Sequence, residues 1–204
     1  MKKPATRATG FTLIELMIVI VLAAVLVMLA MPSFTGLMQR YRVSIAATKI
    51  GNLLRFARIE AMRTHQIVTV AQTGTPDTGC DTASDEMDWH CGVDVYVAKN
   101  DNGGTQGPTI KAIPTSSLDS VKVQIQAPAI SYNTMGVGST AQKTGGAGNF
   151  GASILMIYVW PTALGADPSV VTAPLVNTVC ALGGGKVRVV PQYVAIGNPN
   201  LCTN

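Results

Sequence analysis

Glu15 is the side chain that stands out chemically: it interrupts a stretch, Phe11 to Met31, in which only it and Thr12 are polar. A carboxylate at membrane depth costs about 2.5–3.5 kcal/mol on insertion scales, so it requires a cationic partner that its neighbours do not supply. The cysteines are the second source of chemistry. Cys80, Cys91, Cys180 and Cys202 all follow the apolar stretch, and an even number in an exported segment favours disulfides. Three connectivities are open; pairing Cys80 with Cys91 and Cys180 with Cys202 is favoured because each bridge closes a local, turn-rich loop. Cys80, His90 and Cys91 form a competing zinc donor set, but C-x-x-C and H-x-x-x-H spacings are absent, so no metal is expected. His65, at a helix end, and His90 fall in no nucleophile or base motif. Asp85-Glu86-Met87-Asp88 lacks the alternating ligands, glycine turn and terminal glutamate of a calcium loop. No catalytic residue and no cofactor is expected, and the chain reads as a non-enzyme.

The elements that carry these groups follow from periodicity. An apolar run of about 20 residues is long enough for a helix to cross the hydrocarbon layer. Ahead of it, Met1 to Gly10 holds Lys2, Lys3 and Arg7 and no acid, which places this leader in the cytoplasm and the rest of the chain across the membrane. The apolar run is longer than a secretory core and no A-x-A-like site follows it. Beyond Pro32, where a kink is expected, Phe34, Met38, Tyr41, Ile45, Ile50, Leu53, Leu54, Ala57 and Ala61 recur at near-helical spacing. They predict an amphipathic helix to about Thr64. Its other face carries Arg40, Arg42, Lys49, Arg55, Arg58 and Arg63, read as solvated or intersubunit, with Glu60 and Arg63 placed to pair at i, i+3.

After the helix the period changes to two. Ile67–Val70, Val93–Val97, Val121–Ile125, Ile154–Trp160 and Lys186–Val190 read as strands, separated by turn-rich stretches at Lys99–Pro108 and Gly136–Gly151. The glycine-rich stretch lacks the G-x-x-x-x-G-K-[ST] of a phosphate loop. The expected class is α+β: a long N-terminal helix packed on a mostly antiparallel, β-rich head. The segments are a leader over 1–10, a membrane helix over 11–31, an amphipathic helix over 32–64 and a globular head over 65–204. Without the leader's three cations the chain holds twelve basic and eleven acidic residues, and from Gln66 onward six against nine. The head as a whole is therefore no polyanion-binding surface. Trp89 and Trp160 are expected in the core.

Gly10-Phe11-Thr12-Leu13-Ile14-Glu15, with the basic leader and Pro32, resembles the class III signal of type IV pilins and type II secretion pseudopilins. The resemblance implies cleavage after Gly10 by a prepilin peptidase, N-methylation of Phe11, and retention of the apolar helix as filament core. It also implies that Glu15 pairs with the amino terminus of a neighbouring subunit. The chain would begin as a single-pass inner-membrane protein with a periplasmic head and move into a pilus or pseudopilus among major and minor pilins.

Phe56-Ala57-Arg58-Ile59-Glu60-Ala61-Met62-Arg63, the Gly92–Tyr96 strand with Asn100-Asp101-Asn102-Gly103, and Gly185-Lys186-Val187-Arg188 are similar to the GspH/FimT family. Ile59 stands where that family usually has a small polar residue. The resemblance leaves two branches open. One is a FimT-like minor type IV pilin that helps initiate or cap the pilus, some members of which bind DNA in natural transformation. The other is a structural minor pseudopilin of type II secretion. The DNA-binding branch is associated with a G-R-x-R motif, here with Lys186 in place of the first arginine. Lysine keeps the charge and loses the planar fork that grips phosphate in two places. In a strand, Lys186 and Arg188 would share a face about 7 Å apart, and Lys143 is a further candidate contact for double-stranded DNA.

Overall fold

The protein is described here from a computed structural model, covering residues 11–73, 88–98, 106–141, 154–165, 167–171, 175–195 and 200–203; the side chains of residues 29–33, 141 and 170 are not described. Gly10, Cys80 and Lys143 lie outside the described residues, as do three residues of the acidic cluster, Asp85, Glu86 and Met87. Contacts divide the chain into two compact units, Met1–Met38 and Gln39–Asn204.

The first unit is helical from Leu13 onward and forms the start of α1 (Leu13–Thr64). Thr12 caps it: the Glu15 amide donates to Thr12 Oγ1 at 3.3 Å. A threonine followed three residues later by glutamate is the spacing of a capping box, so Glu15 stands where an acid also favours the helix dipole. Leu13, Leu16, Met17, Ile20 and Leu26 are more than half exposed. Apolar residues thus occupy every side of this segment, whereas an amphipathic helix confines them to one. Among the described residues no helix is long and apolar enough to cross a membrane. Helical backbone runs through Pro32.

In the second unit α1 buries one apolar face. Val43, Ala46, Ala47, Ile50, Leu53, Leu54, Ala57 and Ala61 are buried. Tyr41 and Ile45, expected on that face, are exposed, and so are Phe34 and Met38 in the first unit. The five-residue step from Ile45 to Ile50 accounts for the error, because five residues turn a helix by about 500° and carry the stripe off its face. The helix ends at Thr64, as the periodicity predicts, and His65 follows in the left-handed region with φ 54°.

Nine strands form two antiparallel sheets among the described residues. The first has the order β3 (Gln106–Ile113), β2 (Val93–Ala98), β1 (Val68–Gln72), β5 (Ala129–Tyr132), β6 (Gly138–Ala141). The second has the order β4 (Val121–Ile125), β7 (Leu155–Pro161), β8 (Asn177–Ala181), β9 (Val187–Val190). The inner faces of both close on the buried face of α1 in one core, with Val70, Val95 and Tyr132 from the first sheet and Val123, Ile157 and Val179 from the second. The architecture is the expected α+β with antiparallel pairing.

The strand predictions need several corrections. β3 begins at Gln106, inside a stretch read as turn, and β6 lies inside the glycine-rich stretch; both are edge strands, where Pro108 and Gly138 are tolerated. β5 and β8 gave too little alternation to be read. Lys186 precedes β9 instead of opening it. Trp89 and Trp160 are buried, as expected.

Candidate functional site

Two hairpin turns, one from each sheet, meet over the last turns of α1. The turn between β5 and β6 is set by Asn133, whose Oδ1 accepts from the amides of Met135 at 3.0 Å and Val137 at 2.9 Å. The turn between β8 and β9 closes with the Gly185 amide donating to Leu182 O at 2.7 Å and the Leu182 amide to Lys186 O at 2.9 Å. The Gly138 amide then donates to Gly183 O at 2.9 Å and joins the two turns directly.

Glycine is required at the contact. Gly136 and Gly185 have φ of 73° and 80°, a region that other residues enter only with strain. A Cβ on Gly185 would stand 2.2 Å from Gly136 O and 2.5 Å from Arg58 Nε. One on Gly136 would stand 2.8 Å from Met62 Sδ. The first residue of the Gly185-Lys186-Val187-Arg188 motif therefore exists to let the turn lie flat on Arg58.

Two arginines of α1 hold the turn from below. Arg58 Nη1 donates to Gly185 O at 3.0 Å, and Arg55 Nη2 donates to Val187 O at 3.0 Å while its Nη1 donates to Asn52 Oδ1 at 2.9 Å. Lys186 stands exposed between these two fixed carbonyls. Arg188 is half-buried and lies opposite Cys180 in the β8–β9 register, so it belongs to the outer face of the second sheet. None of Arg55, Arg58, Lys186 and Arg188 takes part in a salt bridge among the described residues. Arg58 also sits near the buried Tyr132 phenol, whose pKa burial pushes up and Arg58 draws partly back.

This arrangement revises the reading of the basic helix face. Arg55 and Arg58 are bonded to the head and do not form a free track, and Arg63 pairs with Glu60 as expected, its Nε donating to Glu60 Oε2 at 2.9 Å. That hydrogen bond first, and the guanidinium charge second, hold the Glu60 carboxyl below its usual range. What sequence reading missed is that Arg55 and Arg58 are bonded to the Val187 and Gly185 carbonyls, on either side of Lys186. Their i, i+3 spacing was visible, but their meeting with a turn more than 120 residues away was not.

Cys180 and Cys202 are bonded, with Cα atoms 5.7 Å apart, tying α2 (Asn200–Thr203) to β8. Cys91 is disulfide-bonded as well, and its expected partner Cys80 lies outside the described residues. His90 Nδ1 stands 2.7 Å from Asp88 Oδ1, which also accepts from the His90 amide at 3.1 Å. No group of three or more His, Cys, Asp or Glu capable of holding a metal occurs among the described residues.

The family model for the type II transport protein GspH matches residues 46–152, more than half of the chain, and the prokaryotic N-terminal methylation motif matches residues 6–31. Among solved structures, the type IV minor pilin FimU of Pseudomonas aeruginosa is similar at 11% identity and a TM-score of 0.49, over 74% of this chain and 90% of that one. The minor pseudopilin EpsH of the type 2 secretion system of Vibrio cholerae is similar at 14% identity and a TM-score of 0.45, over 73% and 96%. No curated protein matches the sequence. The methylation motif running into α1, the antiparallel head and the family match together make this chain a GspH/FimT-like type IV pilin that belongs to the GspH family.

Proposed function

We propose that the chain is a minor type IV pilin that enters the pilus through the start of α1, helps initiate or cap it, and presents the β8–β9 turn to double-stranded DNA for uptake. In this reading a prepilin peptidase cuts between Gly10 and Phe11, Phe11 is N-methylated, and Glu15 meets a neighbour's amino terminus. The all-round apolar surface from Leu13 to Met28 supports insertion first into the inner membrane and then among other pilin helices. Pro32 supplies the kink between the two stretches of the helix.

The DNA reading rests on one observation: Arg55 and Arg58 of α1 are bonded to the carbonyls on either side of exposed Lys186. Two isolated cations on an acidic head would grip phosphate weakly. Two guanidiniums of α1 held beneath the same turn add positive charge near Lys186, and affinity for phosphate depends on such charge. Lys143 is kept as a further candidate contact.

The assembly half is tested by blotting sheared surface filaments from cells that make the wild type or Glu15→Ala. The wild type is expected in the pilus fraction, and the variant in the membrane and absent from filaments. Normal incorporation of Glu15→Ala would rule out the charge pairing. A wild type found only with the secretion machinery would favour the minor pseudopilin role instead.

A further inference from the structure

The cations of α1 fall into two sets. Arg55, Arg58 and Arg63 are bonded, the first two to the β8–β9 turn and the third to Glu60. Arg40, Arg42 and Lys49 are exposed and take part in no salt bridge among the described residues. No acid occurs between Glu15 and Glu60, so the helix itself offers these three no counter-charge.

Their placement follows from the helix turn of about 100° per residue. The side of α1 that packs on the head here runs through Val43, Ala46, Ala47 and Ile50. On the opposite side lie Tyr41, which is 61% exposed, and Ile45, about 40° further round. Arg40 stands about 100° to one side of Tyr41 and Arg42 about 100° to the other, with Lys49 about 20° from Arg42. Two apolar bodies therefore form the centre of the outer face, and three cations form its flanks. Ile59, which is also exposed, comes about five whole turns after Tyr41 and continues the same line.

This is the pattern of a helix lying in a bilayer interface. Aromatic and aliphatic side chains enter at headgroup level while long basic ones reach sideways to phosphate. Other occupants match it less well. A nucleic acid would satisfy the cations but set its charged backbone against Tyr41 and Ile45. A second copy meeting through the same face would bring both sets of cations together with no acid between them, and like charges so placed repel.

We propose that the outer face of α1 from Arg40 to Lys49 docks on anionic phospholipid, with Tyr41 and Ile45 at headgroup level and Arg40, Arg42 and Lys49 on lipid phosphates. As helix this stretch is about 15 Å long, and it meets the bilayer lying along the surface. The proposal rests on the membrane stage of the reading above and adds to it a requirement for lipid charge.

The experiment sets a reporter in the face: Tyr41→Trp in the full chain, as single chains in nanodiscs, with acrylamide quenching its fluorescence. Trp89 and Trp160 are buried and supply a constant background. Discs of phosphatidylglycerol mixed with phosphatidylcholine should shield the reporter about threefold relative to phosphatidylcholine alone, and added salt should remove the shielding. Adding Arg40→Gln, Arg42→Gln and Lys49→Gln should leave the reporter open in both kinds of disc, whereas Arg40→Lys with Arg42→Lys should keep it shielded. Equal quenching in the two kinds of disc, or shielding that survives the three glutamine substitutions, would overturn the proposal. Shielding by duplex DNA in neutral discs, with none by phosphatidylglycerol, would give the face to nucleic acid and overturn it too. Shielding only where several chains share a disc would do the same in favour of a second copy. A chain that enters neither kind of disc would refute the membrane stage and the proposal with it, while an inserted chain indifferent to lipid charge would refute the proposal alone.

Discussion

The two sheets share one helix and one inner core, but their outer faces are closed by different means. On the first sheet the outer face is small and polar: Ala71, Tyr96 and Ala129 form a minor cluster beside buried Thr69, Ser131 and Asp94. On the second, Met156, Tyr158, Trp160, Cys180 and Val190 lie under an added apolar layer that includes Val171, Val176, Val194 and Cys202. The Thr69–Ser131 hydrogen bond lies on one face, and the C-terminal segment packs on the other. Lys186, Arg188 and an open cavity beside Tyr158 and Tyr193 all belong to the second sheet and its turn.

The largest test of this contrast is the staple. Cys202→Ser removes a bridge across 22 residues of sequence separation, which the chain-entropy relation values at about 3 kcal/mol. Urea unfolding of the non-reduced chain should show that loss, and an unchanged midpoint would mean the cover stands without it. Next is Gly185→Ala, which combines a positive φ with a close approach to Gly136 O. It should cost about 2–3 kcal/mol by the same measurement and loosen the joint between the sheets, whereas Gly184→Ala, with open space around it, should be nearly silent.

The first sheet predicts smaller effects. Thr69 Oγ1 and Ser131 Oγ are buried and 2.8 Å apart, so Thr69→Ala should cost about 1 kcal/mol by stranding its partner. Adding Ser131→Ala should cost less than the two single changes summed. The least effect is a pH dependence. Burial raises the Asp94 carboxyl above its ordinary value, with a Thr73 hydrogen bond opposing. The folded chain therefore binds that proton more tightly than the unfolded one, and stability falls as pH rises from the ordinary carboxylate value through the folded one. Asp94→Asn should flatten this part of the melting-temperature profile; an unchanged profile would place the dependence elsewhere.

Much of this was legible in the sequence. The end of α1 at Thr64, the strand Val121–Ile125, the Glu60–Arg63 pair and the Cys180–Cys202 bridge all follow from local periodicity or spacing. The buried face of α1 was not fully legible, because Val43, Ala46 and Ala47 are small or separated from Ile50 by a phase slip that exposes Tyr41 and Ile45. β3 and β6 were hidden by Pro108 and Gly138, which edge strands tolerate. For the candidate site, Lys186 and Arg188 were found by motif. Arg55 and Arg58 were read as part of a solvated or intersubunit face, since a carbonyl acceptor leaves no trace in side-chain sequence.

The central claim is that the β8–β9 turn meets phosphate through a defined group of cations, and the salt dependence of duplex binding tests it most directly. The wild-type chain in neutral nanodiscs should bind DNA with an affinity that falls linearly on logarithmic axes as salt rises. Lys186→Gln and Arg188→Gln should each make that slope shallower by about 0.9. A wild type that does not bind at low salt, or variants whose slope matches the wild type, would contradict the account.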